Sequence, residues 1–266
     1  MTTRLVEVRR TEPLTDHMVR IVFGGELAGF DTGAFTDHYV KIQFPPPDAP
    51  YAAPFDARQV KERFAKEQWP RTRTYTVRRF EREAGELTID FVVHGATGVA
   101  GPWASAAQTG DRLQLAGPGG SYAPRVDAAW HLLIGDASAV PAIGAALERL
   151  PDDALAHVVL AAERQPVRQP AGTTIRWVDD LQAAVADLEF PTGAPHVFLH
   201  GEATDVREIR RHLIADRGVP RDGQSISGYW KRQRTEDDWR EDKVGWSRLI
   251  EQDDRAVTDR TAVEEG

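Results

Sequence analysis

The sequence predicts a six-stranded antiparallel β-barrel over residues 1–125, followed by a parallel-sheet α/β domain over residues 126–252. Short runs rich in β-branched residues, separated by Gly and Pro turns, fill the first part. From Trp130 onward, short apolar runs alternate with helical stretches, which is typical of a parallel sheet. A chain of 266 residues with 41% hydrophobic content can bury two modest cores.

The six barrel strands are predicted at residues 5–9, 18–23, 38–44, 73–79, 87–93 and 112–116. In the third strand, Val40, Ile42 and Phe44 alternate with Lys41 and Gln43, so we expect the first three to face inward and the other two to face outward. Pro45-Pro46-Pro47 ends that strand. The polar segment 49–70 that follows is interpreted as a surface insertion, helical over 57–69.

In the α/β part, strands are predicted at 131–134, 157–162, 174–178 and 196–200, and helices at 140–150, 180–186 and 205–216. Ligands of such sheets bind beyond the carboxyl ends of the strands, where Gly135-Asp136-Ala137-Ser138 follows the first one. We expect Ser138 to cap the helix that begins near Pro141 and to leave amides free for a phosphate. The alternative is an ordinary capped helix, because the loop lacks the Gly-x-Gly-x-x-Gly pattern.

The most informative stretch runs from Arg73 to Pro118. Arg73 and Tyr75 share one face of a strand, where they offer a fork of donors to a pyrophosphate and a ring to a flat heterocycle. Thr76 points to the other face, so we expect it to contribute through its backbone or a bulge. Next come the strand at 90–95 and the turn Gly98-Val99-Ala100-Gly101, with Pro102 predicted as the first helical residue.

A helix amino terminus binds anions, so this second motif offers a second phosphate site. Each motif alone is also compatible with an ordinary strand or a plain turn. Their combination, separated by an amphipathic strand, leads us to interpret the stretch as a site for a flavin dinucleotide.

Several other chemistries are disfavoured by composition. The chain has no cysteine, which excludes disulfides, thiolate metal sites and iron–sulfur clusters, and its eight histidines lack metal-ligand spacing. Neither a Gly-x-Ser-x-Gly elbow nor a nucleoside triphosphate loop is found. A net charge of -8 disfavours a nucleic-acid binder. We expect no metal site, no nucleic-acid partner, no signal peptide and no membrane insertion, and we place the protein in the cytoplasm.

The chain resembles the siderophore-interacting protein family, the ferric-siderophore reductases built on the ferredoxin-reductase plan. The motifs that carry this resemblance occur in the family's order: Arg-x-Tyr-Thr at 73–76, Asp-Phe-Val-Val-His-Gly at 90–95, Gly-x-Ala-Gly-Pro-Trp-Ala at 98–104, Gly-Pro-Gly-Gly at 117–120, Gly-Asp-Ala-Ser-Ala-Val-Pro-Ala at 135–142 and Gly-Tyr-Trp at 228–230.

The resemblance implies that FAD carries the chemistry and that no side chain is a certain catalytic residue. The residues expected to hold FAD are Arg73, Thr74, Tyr75, Thr76, Asp90, Phe91, Val92, His94, Gly95, Gly98, Ala100, Gly101, Pro102, Trp103 and Ala104. A nicotinamide donor would contact Gly135, Asp136, Ser138 and Pro141, with Glu163 or Arg164 near its ribose. NADH, NADPH and reduced ferredoxin remain open as donors.

The implied substrate is a ferric siderophore, which would contact Lys41, Tyr229, Trp230, Lys231 and Arg232. Ferrous iron binds hard oxygen ligands far less well than ferric iron, so reduction would release the metal. Two alternatives remain: an electron-transfer reductase with a quinone or protein acceptor, and a flavoprotein that binds siderophore without turnover. Lys41 is also compatible with a solvated lysine, and residues 231–234 with partners of the acidic residues at 236–242. We expect a monomer and a mobile tail at 253–266.

Overall fold

The computed structural model describes residues 2–93, 95 and 98–264, with backbone only for 256–264. The chain divides into two compact units. The first comprises Met1–Ala123 with Gly144–Glu148 and Arg164–Val167, and the second comprises Pro124–Ile143, Arg149–Glu163 and Arg168–Gly266. The first change of unit falls at Ala123, two residues before the predicted boundary.

The first unit contains a closed antiparallel barrel of six strands in the order β1-β2-β5-β4-β3-β6. The strands are β1 (Thr3–Thr15), β2 (Met18–Gly25), β3 (Tyr39–Phe44), β4 (Arg71–Glu81), β5 (Glu86–Val92) and β6 (Arg112–Gly119). The predicted six-stranded barrel is therefore confirmed, and each predicted strand overlaps one observed strand.

The alternation predicted for β3 is also confirmed. Val40, Ile42 and Phe44 are 0–2% exposed inside the barrel, whereas Lys41 is exposed. One face of a closed sheet must line the core, and the period of two places every second side chain there. The outward Lys41 therefore stands on the barrel surface.

The segment between β3 and β4 forms the predicted insertion. Its helix is α1 (Ala57–Arg63). Asp56 caps the helix, since its carboxylate accepts hydrogen bonds from the Arg58 and Gln59 amides. A single 3₁₀ turn at Lys66–Gln68 follows. Tyr51 packs against Phe55 and Phe64, with ring centroids 4.9 and 5.7 Å apart, which gives the insertion a small aromatic core of its own.

The second unit has a five-stranded parallel sheet in the order β11-β10-β7-β8-β9. Its strands are β7 (Trp130–Asp136), β8 (Ala156–Ala161), β9 (Thr173–Trp177), β10 (Pro195–Glu202) and β11 (Gln224–Trp230). Its helices are α4 (Leu181–Ala186), α5 (Ala203–Ala215) and α6 (Glu236–Glu264), and it shares α3 (Val140–Arg149) with the first unit, to which Gly144–Glu148 belong. The predicted parallel sheet is confirmed, although β11 was not predicted as a strand.

Residues 253–264 of the segment predicted as a mobile tail belong to helix α6. Helix α6 continues through residue 264, and Asp253 receives two hydrogen bonds from Arg207 of α5 at 2.6 and 2.8 Å. Asp254 pairs with Arg210 in the same way. The composition of this segment, charged and poor in apolar residues, gave no sign of these partners. The arginines lie on α5, which is far from α6 in sequence but in contact with it in the fold.

Two tryptophans anchor the first half of α6. Trp239 is 3% exposed and donates to the Gly228 carbonyl, and Trp246 donates to the Ala203 carbonyl at 2.9 Å. These bonds attach α6 to β11 and to the start of α5. Among the helices in the described part of the chain, none is both long and apolar enough to cross a bilayer.

Candidate functional site

The strand β4 carries the first predicted motif. Tyr75 lies opposite Val40 and Arg73 lies opposite Ile42 in the register with β3, so both share the core-facing side, as predicted. Tyr75 packs against Phe91, with ring centroids 4.4 Å apart. Both Arg73 and Tyr75 are half-buried, so each remains accessible to solvent.

The remaining two residues of this motif face the other way. Thr74 is exposed and lies opposite Lys41, whereas Thr76 is 7% exposed and lies opposite Tyr39. A break in register between β4 and β5 follows, at Val77 to Arg79. Thr76 therefore sits next to a bulge, where the backbone leaves the regular ladder.

In the second motif, on β5, the side chains of Asp90 and Phe91 stabilise the barrel itself. Phe91 is 0% exposed in the barrel core. The carboxylate of Asp90 accepts two hydrogen bonds from Arg20 at 2.7 and 2.9 Å. Any contact of these two residues with a cofactor would therefore use the main chain. Val92 is half-buried at the end of β5, and the predicted contact His94 lies outside the described residues.

The third motif forms a turn and the short helix α2 (Ala100–Ala106). Gly95 and Gly98 have φ of +57° and +87°, a region that other residues rarely adopt. The helix begins at Ala100, so Pro102 is its third residue rather than its first, which corrects the prediction. Its missing N–H costs nothing there, because the first four amides of a helix have no intrahelical partner.

Trp103 holds α2 against the barrel. Its ring lies 5.6 Å from that of Phe44, 5.9 Å from that of Phe91 and 6.4 Å from that of Phe23. Within α2, Ala100 and Ala104 are buried, whereas Gly101 is half-buried. The structure thus brings Tyr75, Phe91 and Trp103 into one aromatic cluster that draws on all three motifs.

These residues fit a flavin dinucleotide. Tyr75 offers a half-buried aromatic ring, and the guanidinium of Arg73 is held beside the strand by its bond to the Thr72 carbonyl at 2.8 Å. Among the described residues outside their own chain neighbours, no atom lies within 4 Å of the position a Cβ would take on Gly95 or Gly98, so the described part of the chain leaves space at both glycines. An open turn, a fork of donors and a ring are what a flat dinucleotide requires.

In the second unit, the Asp136 carboxylate at the end of β7 is a hub. Its Oδ1 accepts from the Ser138 amide at 2.9 Å and from the Ser138 hydroxyl at 2.5 Å. Its Oδ2 accepts from the Glu202 amide at 2.7 Å and from the Trp230 indole at 2.8 Å. Burial raises the pKa of Asp136, and these four bonds oppose that rise.

Two glycines allow this arrangement. A Cβ on Gly135 would lie 2.4 Å from the Ala139 Cβ and 2.8 Å from the His200 carbonyl oxygen. A Cβ on Gly201 would lie 2.7 Å from the Asp136 Oδ2. All three contacts are shorter than real Cβ atoms show, so glycine at these two positions permits the close approach of β7 and β10.

A second carboxylate, Glu202, lies next to the hub. It is 2% exposed and accepts from the Thr204 and Asp205 amides at 2.8 and 3.1 Å, which caps α5. The guanidinium of Arg232 bridges Glu202 at 3.1 Å and Asp205 at 2.6 Å. The pKa of Arg232 is raised, chiefly by its hydrogen bond to Asp205.

Two family models match the chain. A siderophore-interacting FAD-binding domain matches residues 7–122, and a siderophore-interacting protein model matches residues 128–233. A ferric vibriobactin reductase of Vibrio cholerae is 34% identical over 255 residues, covering 90% of this chain and 93% of that protein. The chain belongs to the siderophore-interacting protein family.

Two further proteins are similar to this siderophore-interacting protein. An NADPH-dependent ferric-chelate reductase of Escherichia coli is 32% identical over 241 residues, covering 85% of this chain and 92% of that protein. The crystal structure of a siderophore utilization protein from T. fusca is 34% identical, with a TM-score of 0.74, covering 88% of this chain and 94% of that one. The barrel and the parallel sheet together confirm the predicted ferredoxin-reductase plan.

The residues expected to hold the phosphates of a nicotinamide donor lie at the end of β7 and the start of α3. The amide and the hydroxyl of Ser138, the residue predicted to cap α3, both donate to Asp136, so that amide is not free for a phosphate. Pro141 lies within α3 and has no N–H to offer. Glu163 and Arg164, expected near a ribose, are both exposed after β8.

The expected siderophore contacts after β11 divide into two groups. Arg234 pairs with Asp242 at 2.7 Å, as the alternative interpretation anticipated, whereas Arg232 is engaged by Glu202 and Asp205, outside the acidic stretch 236–242. The Lys231 ammonium lies 5.9 Å from the Trp239 ring centroid, with no carboxylate pair described for it. Tyr229 meets His200 edge-on at 4.9 Å, and Trp230 is 40% exposed.

The sequence argument did not identify Arg20 and Glu202, which fix Asp90 and Arg232 respectively. The register with β5 places Arg20 opposite Asp90, and this cross-strand pair was the available signal for the first. For Glu202, the signal was its position just before the helical pattern of 205–216.

Proposed function

We propose that this siderophore-interacting protein is an FAD-dependent reductase that releases iron from ferric siderophores by reducing Fe(III) to Fe(II). The observation that carries the proposal is the aromatic cluster of Tyr75, Phe91 and Trp103 beside Arg73 and the open turn at Gly98. The match of residues 7–122 to a siderophore-interacting FAD-binding domain supports it. Two relatives with at least 32% identity carry the names of ferric reductases.

Bound FAD would accept a hydride and pass electrons on singly, which converts a two-electron donor into a one-electron reductant of iron. In our proposal the chain binds and orients FAD. Arg73 contacts the pyrophosphate through a charge-assisted fork, Tyr75 lies along the flat ring system, and Ala100 and Gly101 offer amides at the start of α2.

Of the cations that the sequence predicts for an anionic acceptor, we retain Lys41 in the first unit and Lys231 in the second. Lys41 is exposed on β3, opposite the exposed Thr74. Lys231 is half-buried near the end of β11, with its ammonium 5.9 Å from the Trp239 ring centroid. A chain with a net charge of -8 repels an anionic iron complex at long range, so local cations would raise its encounter rate. We do not assign Arg232 or Arg234 this role, because carboxylates already engage both.

The test is anaerobic. The purified protein, with FAD bound, is mixed with NADH, NADPH or reduced ferredoxin in separate stopped-flow experiments, and loss of the flavin absorption near 450 nm is followed. The reduced protein is then mixed with ferric hydroxamate or ferric catecholate, and a ferrous chelator reports the iron released.

Reoxidation of the flavin with stoichiometric Fe(II) release supports the proposal. Reoxidation by a quinone but by neither iron complex would replace it with a general electron-transfer reductase. Tight binding of the ferric complexes without reoxidation would replace it with a non-catalytic siderophore-binding flavoprotein.

A further inference from the structure

The crevice at the carboxyl ends of β7 and β10 is where an open parallel sheet offers its ligand site. In the order β11-β10-β7-β8-β9, the chain leaves β7 toward β8 on one side, while β10 lies on the other. Phosphates of dinucleotides bind at such a switch point, against the amides that begin the following helix. The contents of this crevice therefore decide whether it can accept one.

An internal anion already lies there. All four partners of the Asp136 carboxylate donate to it: the Ser138 amide and hydroxyl, the Glu202 amide and the Trp230 indole. Amide and indole nitrogens can only donate, so the arrangement requires two accepting oxygens. The amide of Ala139, next along the chain, donates to the Asp136 carbonyl at 2.9 Å.

The amino terminus of the neighbouring helix, α5, is likewise occupied by a carboxylate of the chain. Glu202 is 2% exposed and accepts the Thr204 and Asp205 amides of α5. Asp205 adds a third carboxylate, and Arg232 bridges Glu202 and Asp205. Three carboxylates thus lie around the crevice, and the one guanidinium there pairs with two of them, Glu202 and Asp205, which makes the crevice unfavourable for a further anion.

We infer that Asp136 is the resident anion of this crevice, which excludes the pyrophosphate of a dinucleotide from the Gly135 to Pro141 loop. An electron donor would then reduce the flavin without seating its phosphates here. The same carboxylate is a positioning residue, since its bond to Trp230 fixes the end of β11 immediately before Lys231. This inference concerns the second unit alone and holds whichever acceptor the flavin reduces.

The experiment measures anion binding by the full-length protein rather than turnover. Inorganic pyrophosphate and NADPH are titrated into ¹⁵N-labelled protein, and the amides of Ser138 and Glu202 and the indole N–H of Trp230 are followed by NMR. The variants are Asp136→Ala, which removes the internal anion, and Gly201→Ala, which pushes a methyl group against it. Glu189→Ala, at an exposed carboxylate, is the control for loss of one negative charge.

In the wild-type protein and in Glu189→Ala, we expect neither probe to shift these three signals in a saturable way. In Asp136→Ala the freed donors should bind pyrophosphate at least about tenfold more tightly than in the wild type. Saturable shifts of Ser138 and Glu202 in the wild type, with either probe, would overturn the inference. So would an Asp136→Ala protein that folds, by its unchanged amide dispersion elsewhere, yet gains no pyrophosphate affinity.

Should Asp136→Ala fail to fold, Gly201→Ala provides the second test. Displacement of the carboxylate should then shift the Trp230 indole signal without any added anion, and an unshifted indole signal would contradict its bond to Asp136. Neither outcome depends on ferric-siderophore reduction, so failure of the proposed function and failure of this inference remain distinguishable.

Discussion

The ring of Tyr75 lies against that of Phe91, with 4.4 Å between their centroids and an angle of 40° between their planes. Phe91 is fully buried, and the rest of its contacts include Phe23 and Trp103. One face of Tyr75 is therefore held by the barrel core. The orientation of its half-buried ring is fixed before any cofactor binds, which lowers the entropic cost of stacking on a heterocycle.

Removal of this ring should weaken FAD binding. We expect Tyr75→Ala to lower the affinity for FAD and Tyr75→Phe to retain most of it, because the aromatic face rather than the hydroxyl supplies the contact. The dissociation constant is measured by titrating the apoprotein with FAD and following the quenching of flavin fluorescence. Equal losses in both variants would contradict a stacking role for the ring.

Arg73 should contribute through its charge. Arg73→Ala is expected to weaken FAD retention by roughly 1.5–3 kcal/mol, which is typical of a lost charge-assisted hydrogen bond. Arg58→Ala is the matched control, since Arg58 is an exposed arginine of α1 with 87% of its side chain accessible. The same fluorescence titration measures both, and similar losses in the two variants would remove the assignment.

The Arg20 and Asp90 pair should act on stability. Asp90 has a side chain only 2% exposed, so Asp90→Ala leaves a partly buried guanidinium without its partner. We expect a loss of about 3 kcal/mol in the free energy of unfolding. Urea denaturation measures the two single variants, Arg20→Leu and Asp90→Ala, and the double variant that combines them. We expect the double variant to lose less stability than the sum of the two single losses. Strictly additive losses would argue against coupling.

Acid should destabilise the second unit through His131. Burial, with a smaller contribution from the nearby His196, lowers the pKa of His131 to about 4. The unfolded chain therefore takes up a proton near pH 6.5 while the folded chain does not. Stability attributable to this histidine falls as the pH decreases from about 6.5 to about 4, by up to about 1.4 kcal/mol per pH unit.

His131→Phe should flatten that part of the pH profile of unfolding, measured by urea denaturation at each pH. An identical slope in the wild type and in His131→Phe would exclude His131 as the source.

The two lysines should affect the acceptor. Lys41→Ala and Lys231→Ala are each expected to raise the KM for ferric catecholates several-fold, because one partly exposed charge contributes on the order of 1 kcal/mol. The effect should shrink with salt, which screens charges over a Debye length of about 8 Å. Neutral ferric hydroxamates should respond less, and FAD content should not change.

Arg234→Ala provides the matched control for these lysines, since Asp242 already pairs with that guanidinium. Its catecholate KM should stay close to that of the wild type. Unchanged catecholate kinetics in a Lys41→Ala, Lys231→Ala double variant at low ionic strength would remove the electrostatic argument for an anionic siderophore.

The local pattern of the chain was enough to predict the six barrel strands, the parallel sheet and the shared face of Arg73 and Tyr75. These features follow from periods of two residues in strands and from the alternation of strands with helices, both of which are written along the chain. The exposure of Lys41 followed from the same alternation.

Only the tertiary structure decided which partners the polar side chains bind. Asp136 looked like part of a phosphate loop, yet the ends of β10 and β11, which are 66 and 94 residues further on, bring the Glu202 amide and the Trp230 indole to its carboxylate. Arg232 and the acidic end of α6 likewise found partners on α5. The sequence shows which side chains are charged or can form hydrogen bonds. Their partners lie on chain segments that are far apart in sequence, and only the fold brings these segments together.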